Sequence, residues 1–160
     1  MEITNQKDLD KAKKAAMRIV KQRATTSGAI AAVPVPGVDV AADIGLIMEV
    51  VDKINKKFGL SNDQIDDLDA AEKQKILVIV TSVGNQFIGK NLTKELVMKV
   101  LKTMGFKKLR DKQIAKFVPV IGAVVSGGIS YSAMYALGKR HVDECYMVCQ
   151  EMIESEKADT

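Results

Sequence analysis

Three prolines, at positions 34, 36 and 119, are the only ones in 160 residues. Proline ends or kinks a helix, because it lacks an N–H and its ring clashes with the preceding turn. Two of the three sit together, so long stretches of the chain are left free to be helical. What fills those stretches suits helices in close contact. Hydrophobic residues make up 47%, aromatics only 4%, Trp is absent, and eight Met accompany many Ala, Val, Ile and Leu. Such small and flexible side chains fill helix–helix contacts better than the core of an aromatic-rich β-sandwich. The length predicts one domain, 1–160, with a substantial core and flexible ends at 1–7 and 157–160.

Periodicity predicts the elements. Leu9, Ala12, Ala16, Ile19 and Val20 recur at helical spacing over residues 8–24, and "TTSGAIAAV" extends that helix. "PVPGVD" stops it, and Asp39 is placed to cap the next helix. That helix runs from about Val40 to Phe58, with Val40, Ile44, Ile47, Val51, Ile54 and Phe58 on one stripe and Gly59 as a left-handed stop. Ser61 to Gln64 has the form of a capping box and predicts a short acidic helix through Glu72. Residues 93–104 and 107–117 predict two more helices, and Pro119 opens a long one to about Glu156. "VPVPGVDVAADIG" and "FVPVIGAVVSGG" share a Pro-Val-x-Gly pattern, from either an internal duplication or common punctuation.

The stretch "KILVIVTSVGNQFIGKN" is ambiguous. Its apolar run fits a buried strand or a buried helix, and Gly84 to Lys90 match G-x-x-x-x-G-K. A phosphate loop needs a hydroxyl for Mg²⁺ where this chain has Asn91, and a parallel sheet for which there is no second buried strand pattern. The match reads as coincidence, and no NTPase activity is expected.

Charge is unevenly placed around a net +4. Residues 90–116 carry nine Lys/Arg against two acids, while 139–160 carry six acids against three basic residues. Lys99, Lys102, Lys107, Lys108, Arg110, Lys112 and Lys116 form a candidate surface for anionic lipid or a partner. A solvated helix face accounts for such a block as well, and nucleic acid is not the favoured partner. The opening residues lack the apolar core of a secretory signal, which predicts a cytoplasmic chain with reduced thiols.

Three clusters invite sharper chemistry. Asp39 and Asp43 are four apart, yet a cap and a first-turn acid explain them without catalysis. His141, Cys145 and Cys149 form H-x-x-x-C-x-x-x-C, but two helical turns spread these ligands over about 12 Å. They share a face with Met134, Leu137, Val148 and Met152, so core packing is expected rather than a metal site. Residues 117–138 contain no charge, a length of about 33 Å as helix, enough for a bilayer. Gly122, Ser126 and Ser130 make a small-residue ridge there, and the moderate hydrophobicity favours a helix buried in a bundle.

"AVPVPGVDVAADIGLIMEVVDKINKKFGLSNDQI" resembles the helical C-terminal part of the immunity-related GTPases. Pro34, Pro36, Gly37, Val40, Ala41, Asp43, Phe58, Gly59 and Leu60 match its Pro-x-Pro-Gly turn, Val-Ala-x-Asp helix start and aromatic-Gly-Leu end. Pro119, Ile121, Gly122, Ser130, Tyr135 and Leu137 match the later part of that region. The same motifs are similar to a bacterial helical family of unassigned function, often attached to GTPase domains. The resemblance covers roughly residues 12–150 and no GTPase domain, so it carries over no hydrolytic residues. It implies an all-α module that supports assembly or membrane association in its relatives.

The sequence therefore predicts an all-α single bundle of about six or seven helices with a long apolar C-terminal helix. The expected function is a non-enzymatic interaction module acting through self-association or a protein partner, without cofactor or metal. Two alternatives stand beside it: a membrane-associating module using 90–138, and a helical carrier of an apolar small molecule.

Overall fold

The computed structural model describes residues 3–31, 40–104 and 131–158, with side chains at 3–25, 44–104 and 134–158. Among these residues every regular element is a helix, and there are six: α1 (Gln6–Ala31), α2 (Val40–Phe58), α3 (Asn62–Asp66), α4 (Ala70–Val83), α5 (Lys94–Thr103) and α6 (Tyr131–Ala158). The all-α expectation holds. Pro34, Pro36, Gly37, Asp39, Pro119, Gly122, Lys107, Lys108, Arg110, Lys112 and Lys116 lie outside the described residues, as does the side chain of Asp43.

Helix α6 is the axis of the bundle. It packs on α1, α2 and α4, while α2 also meets α1 and α5. Its buried residues Met134, Leu137, His141, Cys145, Val148 and Met152 step by three and four, one continuous stripe on a helix. Leu9, Ala12, Ala16, Val20 and Ala24 supply the facing stripe on α1. Small residues let these two axes approach closely. A Cβ built on Gly138 would lie 2.8 Å from both γ carbons of Val20. On α2, Ile44, Ile47, Val51, Ile54 and Phe58 are buried as their spacing predicts.

Helix ends follow local chemistry. Gly59 adopts φ 71°. The Gly59 N–H donates to the Lys56 carbonyl at 3.4 Å and the Leu60 N–H to the Asn55 carbonyl at 2.9 Å, closing α2 as a Schellman turn. Ser61 and Gln64 form the capping box that starts α3.

One predicted boundary is corrected. The acidic helix does not run from the capping box through Glu72. It ends at Asp66, and Asp69 caps a separate helix α4 by accepting the Ala71 and Glu72 N–H groups, both at 2.9 Å. Asp side chains compete for backbone N–H groups and favour such caps over helix interiors. The ambiguous apolar run belongs to α4, a helix that ends at Val83.

Candidate functional site

The segment Gly84 to Asn91 joins α4 to α5 and is not a strand-to-helix turn. Gly84, at φ 76°, is the left-handed stop of α4. Its N–H donates to the Thr81 carbonyl and the Asn85 N–H to the Val80 carbonyl, a second Schellman turn. In a phosphate loop the free backbone N–H groups face the ligand. Here the Phe87 and Ile88 N–H groups both donate to Asn85 Oδ1 at 2.7 Å. Phe87 and Ile88 are buried in the core, whereas Lys90 is exposed and its carbonyl accepts from Asn62 Nδ2.

Asn85 reaches inward to a polar network under this loop. Its Nδ2 donates to Glu144 Oε2 at 2.6 Å and lies 3.2 Å from His141 Nδ1. His141 Nε2 lies 2.8 Å from Asn55 Oδ1. The partners fix the tautomer: Nε2 carries the proton toward the Asn55 oxygen, and Nδ1 accepts from Asn85. Burial pushes His141 down from 6.5 to about 3, so the ring is neutral at ordinary pH. Arg140 Nε donates to Glu144 Oε1 at 2.7 Å and closes the network at its outer edge. Phe87 meets the His141 ring edge-on, with centroids 5.3 Å apart. A space of about 10 Å³ beside these groups has room for about one water.

Cys145 and Cys149 are free and buried on the same stripe, as core packing predicts. The Cys145 thiol donates to Asn55 Oδ1 at 3.7 Å and the Cys149 thiol to the Phe58 carbonyl at 3.5 Å. Burial pushes Cys145 well above its usual range and Cys149 to about 12, which suppresses the thiolate a nucleophile or metal ligand needs. Among the described residues, no three His, Cys, Asp or Glu side chains are grouped to hold a metal ion. Nor is any described helix long and apolar enough to cross a membrane. Lys99 and Lys102, the described members of the seven-residue candidate surface, are exposed on α5.

Sequence reasoning missed the outer face of α4. The bundle buries Ile76 and Val80, one turn apart. Apolar residues remain on the other side, with Leu77 39% and Val78 63% exposed. Ala71, Gln74, Lys75, Val78 and Ile79 form one wall of an open groove of about 580 Å³, and Glu151, Glu154 and Ser155 of α6 form the other. Met147, 44% exposed, precedes Glu151 by one turn on the same stripe of α6. Leu77, Val78 and Met147 are the large hydrophobics left exposed among the described residues. The signal was present in "KILVIV": an apolar run without periodicity makes a helix that is apolar on two faces, and a bundle edge covers one.

The geometry defines a helical bundle with an apolar, acid-rimmed groove at one edge. No protein-family model matches the chain. It is 29% identical over 119 residues to interferon-inducible GTPase 5 of Bos taurus, covering 74% of this chain and 25% of that protein. It is 28% identical over 130 residues to interferon-inducible GTPase 5 of Rattus norvegicus, covering 81% of this chain and 28% of that protein. The chain thus spans about a quarter of the length of the curated relatives it matches. No solved structure matches. The two matches support a relation to the immunity-related GTPases.

Proposed function

We propose that this chain is a non-enzymatic helical interaction module that holds a polypeptide surface, its own or another protein's, against the α4/α6 groove. The observation that carries the reading is the outward apolar face of α4. A bundle that needed only to fold would gain nothing from leaving Val78 63% exposed at the groove. Apolar patches rimmed by polar residues mark contact sites on folded proteins. Gln74, Lys75, Glu151, Glu154 and Ser155 supply such a rim. The relation to large GTPases, of which the chain matches about a quarter, fits a module that works in association. As a non-enzymatic module it is expected to release no phosphate from GTP. Hydrolysis that disappears in Lys90→Ala would contradict this.

A photo-cross-linking side chain at Val78, introduced in living cells, tests the reading. The control position is Lys57, exposed near the end of α2. Protein adducts from position 78 and none from 57 are expected. Lipid adducts alone, or equal labelling from both positions, would overturn it.

A further inference from the structure

We propose that the outer face of α1 docks an acidic polypeptide segment in extended conformation. This face shares no residue with the α4/α6 groove.

Helix α1 sorts its cations. Lys13 and Arg23 serve the fold. Lys13 Nζ lies 3.2 Å from the Asp143 carboxylate of α6 and 4.5 Å from the centre of the Tyr146 ring, and Arg23 Nη2 lies 2.6 Å from Glu49 of α2. Lys7, Lys11, Lys14, Arg18 and Lys21 recur at steps of four and three, and all are exposed. At about 100° and 1.5 Å per residue they form one row, within about 80° of the helix circumference and about 21 Å long. The row lies nearly opposite the buried stripe of Leu9, Ala12, Ala16, Val20 and Ala24, so it points away from the bundle. Lys11 pairs with Asp8 at 2.9 Å. Among the described residues, Lys14, Arg18 and Lys21 form no ion pair. Like charges one turn apart destabilise a helix. The row opposes the fold that carries it, and an anion laid along it relieves that repulsion.

The shape of the row selects among anions. It is one side chain wide, with Asp8 on one shoulder and Asp10 on the other. Asp10 accepts hydrogen bonds from Gln6 and Tyr146, and among the described residues no ion pair neutralises it. An anionic leaflet is a plane, and a nucleic-acid duplex presents two phosphate strands. Both bring negative charge against the shoulders as well as the row, within the Debye length of about 8 Å at physiological salt. A single nucleic-acid strand is held by stacking bases on aromatic side chains, and α1 has none. One extended peptide fits within the row. Its alternate side chains point the same way and recur every ~6.7 Å, so about seven residues span about 20 Å and offer about four carboxylates to the row. Exposed ion pairs are individually weak, so the binding is weak and salt-dependent.

Fluorescence anisotropy tests this, with the native chain titrated into a labelled peptide of about twelve residues that alternates Glu and Ser. A Kd on the order of 100 μM is expected at about 10 mM salt, weakening about tenfold or more at about 100 mM as the Debye length falls. Lys14→Glu/Arg18→Glu, at the centre of the row, should weaken it about tenfold or more, and Lys14→Gln/Arg18→Gln about threefold or more. Lys99→Glu/Lys102→Glu on α5 changes the net charge as much as the first variant and should stay within about twofold of native. Circular dichroism confirms that these surface variants are folded.

No binding at low salt overturns the proposal. Equal losses in the α1 and α5 variants do so too, because net charge alone would then explain the binding. Compared at equal concentrations of anionic groups, tighter binding to phosphatidylserine-containing vesicles or to duplex DNA than to the peptide also overturns it.

Discussion

At the scale of single residues, the buried polar network imposes the sharpest demands. His141 is the only histidine in the chain. Its folded value, about 3, lies below the 6.5 of the exposed ring. As pH falls through 6.5, the unfolded chain takes up a proton that the folded chain refuses, so stability declines and keeps declining toward pH 3. Between about pH 7.5 and about pH 5 the loss is expected to be about 2 kcal/mol, above the range where carboxylates titrate. Urea unfolding at the two pH values measures it. His141→Gln should flatten the slope whatever it does to absolute stability. Asn85 carries a different burden. Its Oδ1 accepts two backbone N–H bonds and its Nδ2 serves Glu144 and His141. Asn85→Ala leaves those buried groups unsatisfied and is expected to cost about 2–4 kcal/mol, read from the shift in urea midpoint.

These residues were the least legible in the sequence. Asn55 and His141 are 86 positions apart, and Asn85 and Glu144 are 59 apart. No local pattern distinguishes a buried Asn or Glu from a solvated one, because burial of such groups is decided by partners that only the fold supplies. His141, Cys145 and Cys149 were readable as core, because they lie in step with Met134, Leu137, Val148 and Met152. Their polar partners were not.

At the scale of elements, legibility tracked periodicity. Helices α1 and α2 each show one apolar stripe, and among its described side chains all are buried except Ile19, which is half-buried. Gly59 was readable as a stop because a left-handed position after a helix favours glycine, and its φ is 71°. Helix α4 was ambiguous because its run is apolar all round, so the period carried no information about which face turns inward. The start of α4 was missed because Asp66, Asp67 and Asp69 read equally well as helix interior or as caps. The close approach of α1 to α6 yields a prediction. Alanine would raise the helix propensity of position 138 by about 1 kcal/mol. Its methyl would meet the stiff, β-branched Val20 at 2.8 Å. Overpacking of this kind costs about 1–3 kcal/mol, so Gly138→Ala is expected to be destabilising on balance. Thermal unfolding of that variant beside Gly138→Ala/Val20→Ala checks it, because the second change relieves the clash.

At the scale of the whole molecule, the described helices turn apolar stripes toward one another, and α4 keeps a second apolar face exposed. The covered faces explain the fold, and one apolar face of α4 is left uncovered. That face bears the interaction reading, and its state in the cell decides between a module that is occupied and a surface that merely faces water. The two natural thiols are buried, with their ionisation suppressed, so a cysteine introduced at the surface is the one that reacts with an alkylating reagent in the folded chain. Val78→Cys can therefore be alkylated selectively, in intact cells and in the dilute purified protein, with Lys57→Cys as the exposed control. The account predicts that position 78 reacts about tenfold more slowly in cells, the protection of a face occupied nine times in ten, while position 57 reacts alike in both settings. Equal rates at position 78 in cells and in dilute solution would contradict it.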